Sequence, residues 1–194
     1  MFHAMHEATA EDWAIIGAAT NERKESPLPD RVLEHLQLLG DDCGGFAVSR
    51  LTHSLQTATL ASRAGRNDQY VLCALLHDIG DTIGQFDHGL IGGAVVKPFV
   101  APELRWMVEN HADFQGYFFY DFIGADKDRR ERFREHPNFD LTAEFCADYD
   151  ERAFDPTYPT EPLEFFAPLV RDLMVKPRYG SAVSGGVFIE ASPD

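Results

Sequence analysis

Apolar positions recur along this chain at intervals of three and four, and the helices they predict follow one another almost end to end. Thr9, with Glu11 and Asp12 behind it, opens a first helix through Trp13, Ile15, Ile16 and Ala19, with acidic residues at the positive end of its dipole. Pro29 opens a second through Val32, Leu33, Leu36 and Leu39, and Gly40 closes it. Ser49 caps a third through Leu51, Leu55, Ala58 and Leu60, which stops at Gly65. Asn67-Asp68 starts a fourth, apolar almost throughout, that runs into His77-Asp78. Further helices are predicted over His88 to Val96, Pro102 to His111, Asp126 to Glu135 (charged and solvated), Leu141 to Phe154, and Glu161 to Met174. No period-two run stands out, so the expected fold is all-α.

The fourth helix changes the picture. An imidazole and a carboxylate side by side at the end of an apolar run are poor core material unless something pairs with them, and a metal ion would pair with both. His53 lies 24 residues before His77, the span of two antiparallel helices around a turn at Gly65 to Asp68. His88 and His111 are 23 apart, again two helices around Pro98 to Pro102. His77 and Asp78 diverge by about 100° around a helix, so they can serve two neighbouring ions. Asp150 follows Tyr149 on a later, largely apolar face. Imidazoles with carboxylates suit iron, manganese or zinc rather than calcium.

Composition narrows the partners. The formal net charge of −15 argues against nucleic acid and against anionic membrane surfaces, both of which need clustered Lys and Arg. A small anionic substrate stays compatible, because a metal centre holds anions locally. Three dispersed cysteines without a CxxC pair, no signal-peptide pattern and no membrane-spanning stretch point to reduced thiols and a cytoplasmic protein. At 194 residues the chain reads as one helical domain over 1–175 with an irregular tail over 176–194.

The segments Leu51-Thr-His53-Ser-Leu-Gln-Thr-Ala58 and Ala74-Leu-Leu-His77-Asp78-Ile-Gly80 resemble the HD-domain superfamily of metal-dependent hydrolases and oxygenases. His88-Gly-Leu-Ile-Gly-Gly-Ala94, Val108-Glu-Asn-His111 and Asp148-Tyr-Asp150-Glu151 look like the further ligand motifs of its mixed-valent diiron oxygenase subgroup, which includes the 2-amino-1-hydroxyethylphosphonate dioxygenases. The resemblance, spanning roughly Gly44 to Leu173, implies an HD-domain helical bundle around a dinuclear site. His53, His77 and Asp150 would bind one iron, His88 and His111 the other, and Asp78 would bridge. It implies two iron ions in the Fe(II)/Fe(III) form, O2 as co-substrate, and an organophosphonate cleaved at its carbon–phosphorus bond. The alternatives are a metal-dependent phosphohydrolase acting on a phosphoester and a non-catalytic HD module.

The chain departs from that subgroup where the substrate would sit. Phe46 stands where a Glu associated with primary-amine recognition is usual, Asp81 where a His or Lys is usual, and Gln115 where a Lys is usual. Arg50, Arg134 and His136 are the candidates to replace the lost anion contacts. The aromatic run Tyr117, Phe118, Phe119 and Tyr120 suggests a cage for a trimethylammonium group, which would make the products glycine betaine and phosphate.

Overall fold

In the computed structural model, residues 2–22, 28–41, 43–179, 181–184 and 187–190 are described. The architecture is an α-helical bundle, followed by one short antiparallel strand pair near the C-terminus. Helix α1 (Ala10–Glu22) is closed at its start by Thr9, whose Oγ1 accepts from Asp12 N while Asp12 Oδ2 accepts from Thr9 N. Helix α2 (Leu28–Gln37) buries Val32, Leu33 and Leu36 on one face, and α3 (Arg50–Arg63) is capped by Ser49, whose side chain accepts from Thr52 N at 3.1 Å.

Helix α4 (Asp68–Leu76) is the centre of the molecule. Every residue from Tyr70 to Leu76 is buried, as expected of a helix apolar all round. Gly65, at φ 75°, makes the left-handed turn between α3 and α4 that a side chain would strain, and the two helices pack along one another as a hairpin. Because α4 ends inside the core, the turn after it, with His77 still in helical conformation, is buried too, and so is Asp78.

Helix α5 (His88–Val96) lies close against α4 and α6 (Pro102–Gln115). A Cβ on Gly92 would stand 2.7 Å from the His77 carbonyl oxygen, so only glycine lets α5 approach the end of α4 this closely. Helix α7 (Phe139–Phe145) and α8 (Leu163–Met174) complete the bundle, with α7 against α6 and α8 against α2 and α4.

Three elements differ from the sequence reading. The charged segment forms a 3-10 helix, Lys127–Phe133, rather than an α-helix. The helix expected through Phe154 ends at Phe145 and widens into a π-helical turn, Cys146–Asp150, a geometry that re-aims side chains and occurs often at functional sites. The tail is not irregular throughout: Arg178 N and Tyr179 N donate to Pro98 O, and Ser181–Ser184 pairs antiparallel with Val187–Glu190, Ser181 opposite Glu190. Val183, Val187, Phe188 and Ile189 favour strand, but four residues a side are too few for a period-two signal.

Candidate metal centre

Five elements meet at the turn after α4. His53 comes from α3, His77 and Asp78 from that turn, His88 from the start of α5, His111 from α6 and Asp150 from the π-helical turn. Five of the six are buried, and His88 keeps 21% of its side chain exposed.

The four imidazoles are oriented alike. Each Nδ1 faces a backbone carbonyl: His53 that of Ala153 at 3.1 Å, His77 that of Ala74 at 2.9 Å, His88 that of Gln85 at 2.9 Å and His111 that of Val108 at 2.7 Å. A carbonyl only accepts, so Nδ1 carries the proton and each neutral ring turns its Nε2 lone pair to the centre. There the lone pairs meet: His53 Nε2 is 3.1 Å from His77 Nε2, and His88 Nε2 is 3.1 Å from His111 Nε2. Neither atom of such a pair has a proton to give, so the arrangement is repulsive unless a cation or an added proton lies between them.

The spacings suit metal ions. Ligand atoms about 2.1 Å from one shared ion sit roughly 3.0–3.4 Å apart for angles between square and tetrahedral. One set contains His53 Nε2, His77 Nε2 and Asp150 Oδ1, with separations of 3.1, 3.1 and 3.6 Å. Asp78 Oδ2 adds to it, 3.6 Å from each of those two imidazoles. The second set contains His88 Nε2, His111 Nε2 and Asp78 Oδ1, at 3.1, 3.3 and 3.3 Å. The Asp78 carboxylate thus points one oxygen at each imidazole pair. Asp150 Oδ2 is buried without a hydrogen-bond partner, as a ligand oxygen without its ion would be. The donor set and its spacing therefore fit two adjacent metal ions.

Electrostatics follow from this crowding. Burial works against charge on His53, but the bond to Asp150 and the fields of Asp150 and Asp78 outweigh it and raise its pKa. At His77 burial is likewise overcome, first by Asp78 and then by Asp150. Burial would raise both carboxyls, yet His77, His111 and His53 hold Asp78 well below the ordinary carboxylate range, and His53 and His77 hold Asp150 low. His88 goes the other way: burial and the neighbouring His111 lower it.

The candidate substrate residues separate into two groups. Arg50 reaches the centre, with a guanidinium nitrogen 3.5 Å from Asp78 Oδ2 and its Nε 3.6 Å from Asp81. Both residues line a cleft of about 350 Å³ with Leu38, Phe46, Thr82 and Gln85. Gln115 touches the centre from the other side, its Nε2 donating to Asp150 Oδ1 at 3.2 Å. Arg134 and His136 are engaged elsewhere: Arg134 grips both oxygens of Glu131 and covers Phe139, and His136 stacks on Trp106 with ring centres 4.0 Å apart.

The aromatic run does not form one cage. Arg130 already lies over the face of Tyr117, Phe118 packs on the core, Phe119 is exposed, and the Tyr120 ring lies directly on Gly116. Rings that do approach the centre include Phe145, edge-on to His77 at 5.5 Å, and Phe154, stacked on His53 at 4.4 Å with Phe46 behind it at 5.0 Å. Phe154 was not legible as a site residue, because the π-helical turn that delivers it leaves no mark in an apolar pattern.

The HD domain family matches residues 50–153, just over half the chain and the stretch that holds all six residues of the cluster. The chain belongs to the HD-domain family. HD-domain proteins are generally metal-dependent enzymes, and the buried His and Asp groups described above can hold a metal. No curated protein matches the chain. No helix among the described residues is long and apolar enough to cross a membrane.

Proposed function

We propose that this HD-domain protein is a non-heme diiron oxygenase that cleaves the carbon–phosphorus bond of a 1-hydroxyalkylphosphonate with O2. The observation that carries the reading is the inequality of the two ligand sets. His53, His77, Asp150 and Asp78 offer four donors on the buried side. His88, His111 and Asp78 offer only two imidazoles and one carboxylate on the exposed side. Two imidazoles and a carboxylate with positions left open are the donor set of iron(II) sites that use dioxygen. When bound, the iron pair supplies the route by which electrons leave the substrate for dioxygen.

The chain's own residues bind, orient and exclude water. Arg50 at the cleft wall brings a fixed positive charge beside Asp78, suited to a substrate anion. Phe46 and Phe154 shield the His53 side from water. Asp81 is the acidic group the cleft offers an ammonium end, while the Phe46 ring beside it is covered by the Arg50 guanidinium at 5.0 Å. A trimethylammonium group has no N–H to donate, so it suits a carboxylate field and does not need the missing glutamate as a hydrogen-bond acceptor. The overall reaction balances with one O2 per substrate: the carbinol carbon leaves as a carboxylate and the phosphonate as phosphate.

The test is oxygen uptake by iron-loaded protein given 1-hydroxy-2-(trimethylammonio)ethylphosphonate or its primary-amine analogue. One O2 consumed per phosphate released, with preference for the trimethylated compound, is the expected result. Oxygen-independent phosphate release from phosphoesters with manganese or nickel would replace the oxygenase reading by the hydrolase one.

A further inference from the structure

Three of the four imidazoles are oriented by their own segments. The carbonyls that accept from His77, His88 and His111 belong to Ala74, Gln85 and Val108, each three residues back along the chain. That bond comes with the local helical turn. His53 is the exception. Its Nδ1 faces Ala153 O at 3.1 Å, a hundred residues on. Which nitrogen His53 turns to the centre therefore depends on where the chain after the π-helical turn is held.

That stretch, Glu151 to Pro162, is a strap laid along α3. It forms neither helix nor strand, and Pro156, Pro159 and Pro162 stiffen it. Successive turns on one face of α3 hold it. After His53 comes Gln56, whose Nε2 donates to Asp155 O at 2.6 Å. Then Thr59 Oγ1 accepts from Glu161 N at 3.1 Å, and Arg63 bonds the Glu161 carboxylate at 2.9 Å. The near end of the strap serves the inner half three times over: Asp150 supplies a carboxylate, Ala153 O orients His53, and the Phe154 ring lies on His53 at 4.4 Å. Thr59 and Arg63 fasten only the far end. Gln56 fastens the near end, and it is 1% exposed, a depth at which an amide needs a partner. Its Oε1 has none, and its nitrogen goes to Asp155 O.

We infer that Gln56 is a positioning residue for the inner half of the centre. By holding Asp155 it keeps the Ala153 carbonyl on His53 Nδ1 and the Phe154 ring over the imidazole, so that His53 offers Nε2 where Asp150 offers its oxygen. Gln56 acts through the strap, one step removed from the ligands. With the strap loosened, His53 loses its acceptor and its cover together, while His77, His88 and His111 keep the carbonyls of their own segments. This role requires that the six residues hold metal, and it is independent of the reaction the metal serves.

The test uses the full chain loaded with zinc and two readouts: the histidine ring N–H signals in nitrogen-15 NMR, and the rate at which a chelator strips the metal. In the wild type, His53, His77 and His111 should each show a ring N–H protected from exchange with water, and zinc should leave in a fast and a slow phase, the slow one from the inner set. Gln56→Met keeps the length of the side chain and loses the donor. Its His53 N–H is expected to vanish into exchange while those of His77 and His111 persist, and the slow phase to quicken at least tenfold. A role in packing alone would not single out one imidazole. Gln56→Asn, whose amide falls a methylene short of Asp155, should behave alike and carries the test where the methionine variant does not fold. Arg63→Gln, which frees only the far end of the strap, should leave the His53 signal in place and the slow phase within twofold. A protected His53 N–H with an unchanged slow phase in both Gln56 variants overturns the inference. So does loss of all three N–H signals together, or a wild type that takes up no zinc. The two readings fail separately. The expected His53 response without oxygen uptake on any hydroxyphosphonate removes the oxygenase and keeps the positioning role. Oxygen uptake by the iron-loaded protein with His53 unmoved in both variants does the reverse.

Discussion

The two halves of the centre are built from the same residue types to different ends. The inner half, His53, His77 and Asp150, is sealed under α3, α4 and the π-helical turn, and the two imidazoles are raised in pKa by the carboxylates around them. The outer half, His88 and His111, has one carboxylate oxygen between them, and His88, partly exposed, is lowered. Two anionic ligands in a dry pocket retain a cation strongly, whereas one anionic ligand at the rim leaves positions for exchange. The difference teaches that burial and carboxylate count alone would let one half of such a cluster retain a cation and the other leave its cation open to exchange.

The largest break in this comparison removes what the halves share. Asp78→Asn takes a charge from both sets, so metal analysis should find neither ion at full occupancy. Turnover should fall by roughly three orders of magnitude, as several kcal/mol of metal-derived stabilisation disappear. Single-half variants come next. Asp150→Asn and His88→Ala should each leave about one metal per chain, but Asp150→Asn should cost more thermal stability, because it unpairs two buried imidazoles, an effect of about 3–5 kcal/mol in comparable buried pairs. Equal melting temperatures for the two variants would erase the distinction between the halves.

A gentler variant tests how the outer half is held. Gly92→Ala forces a methyl against the His77 carbonyl and moves α5, so His88 should lose its register with His111 while the inner ligands stay in place. The expected signature is selective loss of the outer ion, with destabilisation of about 1–3 kcal/mol by overpacking. Full occupancy of both ions in this variant would mean that α5 tolerates a looser fit.

The smallest effect is in pH. Without metal, His53 and His77 bind protons more tightly folded than unfolded, so their contribution is complete below the ordinary value of 6.5 and is lost as pH rises through their raised values. Asp78 and Asp150 contribute above their ordinary value of 3.8, and that part is lost only as pH falls through their depressed values. His88, lowered, contributes in the opposite sense to the other two: its part is present above 6.5 and is lost as pH falls through its lowered value. With two raised imidazoles against one lowered, metal-free protein should melt lower at about pH 9 than at about pH 6, and metal-loaded protein should reverse that trend, because the ions need deprotonated ligands. Thermal melts with and without chelator at both pH values check the sign.

Much of the bundle was legible because its helices begin and end on local chemistry. Ser49 and Asn67 cap where their side chains reach a backbone N–H two or three residues on, a contact that needs nothing else in the fold. His77-Asp78 stood out because polar groups at the end of an apolar helix demand a partner. Phe154 did not stand out, because it follows a π-helical turn whose course is set by packing against α3 and α6. Of the three candidates named from sequence for the anion contacts, Arg50 reaches the centre, while Arg134 is held by Glu131 and His136 stacks on Trp106.

By itself, then, the order of residues determined the helices, the burial of α4 and the presence of six ligand-type side chains at spacings that helical hairpins bring together, because periodicity and capping act over a few residues. Only the tertiary structure decided that Asp78 turns one oxygen to each imidazole pair and that one half is sealed and the other open. Those outcomes depend on how closely α5 and the π-helical turn approach α4, and such distances are set by packing between segments far apart in the chain.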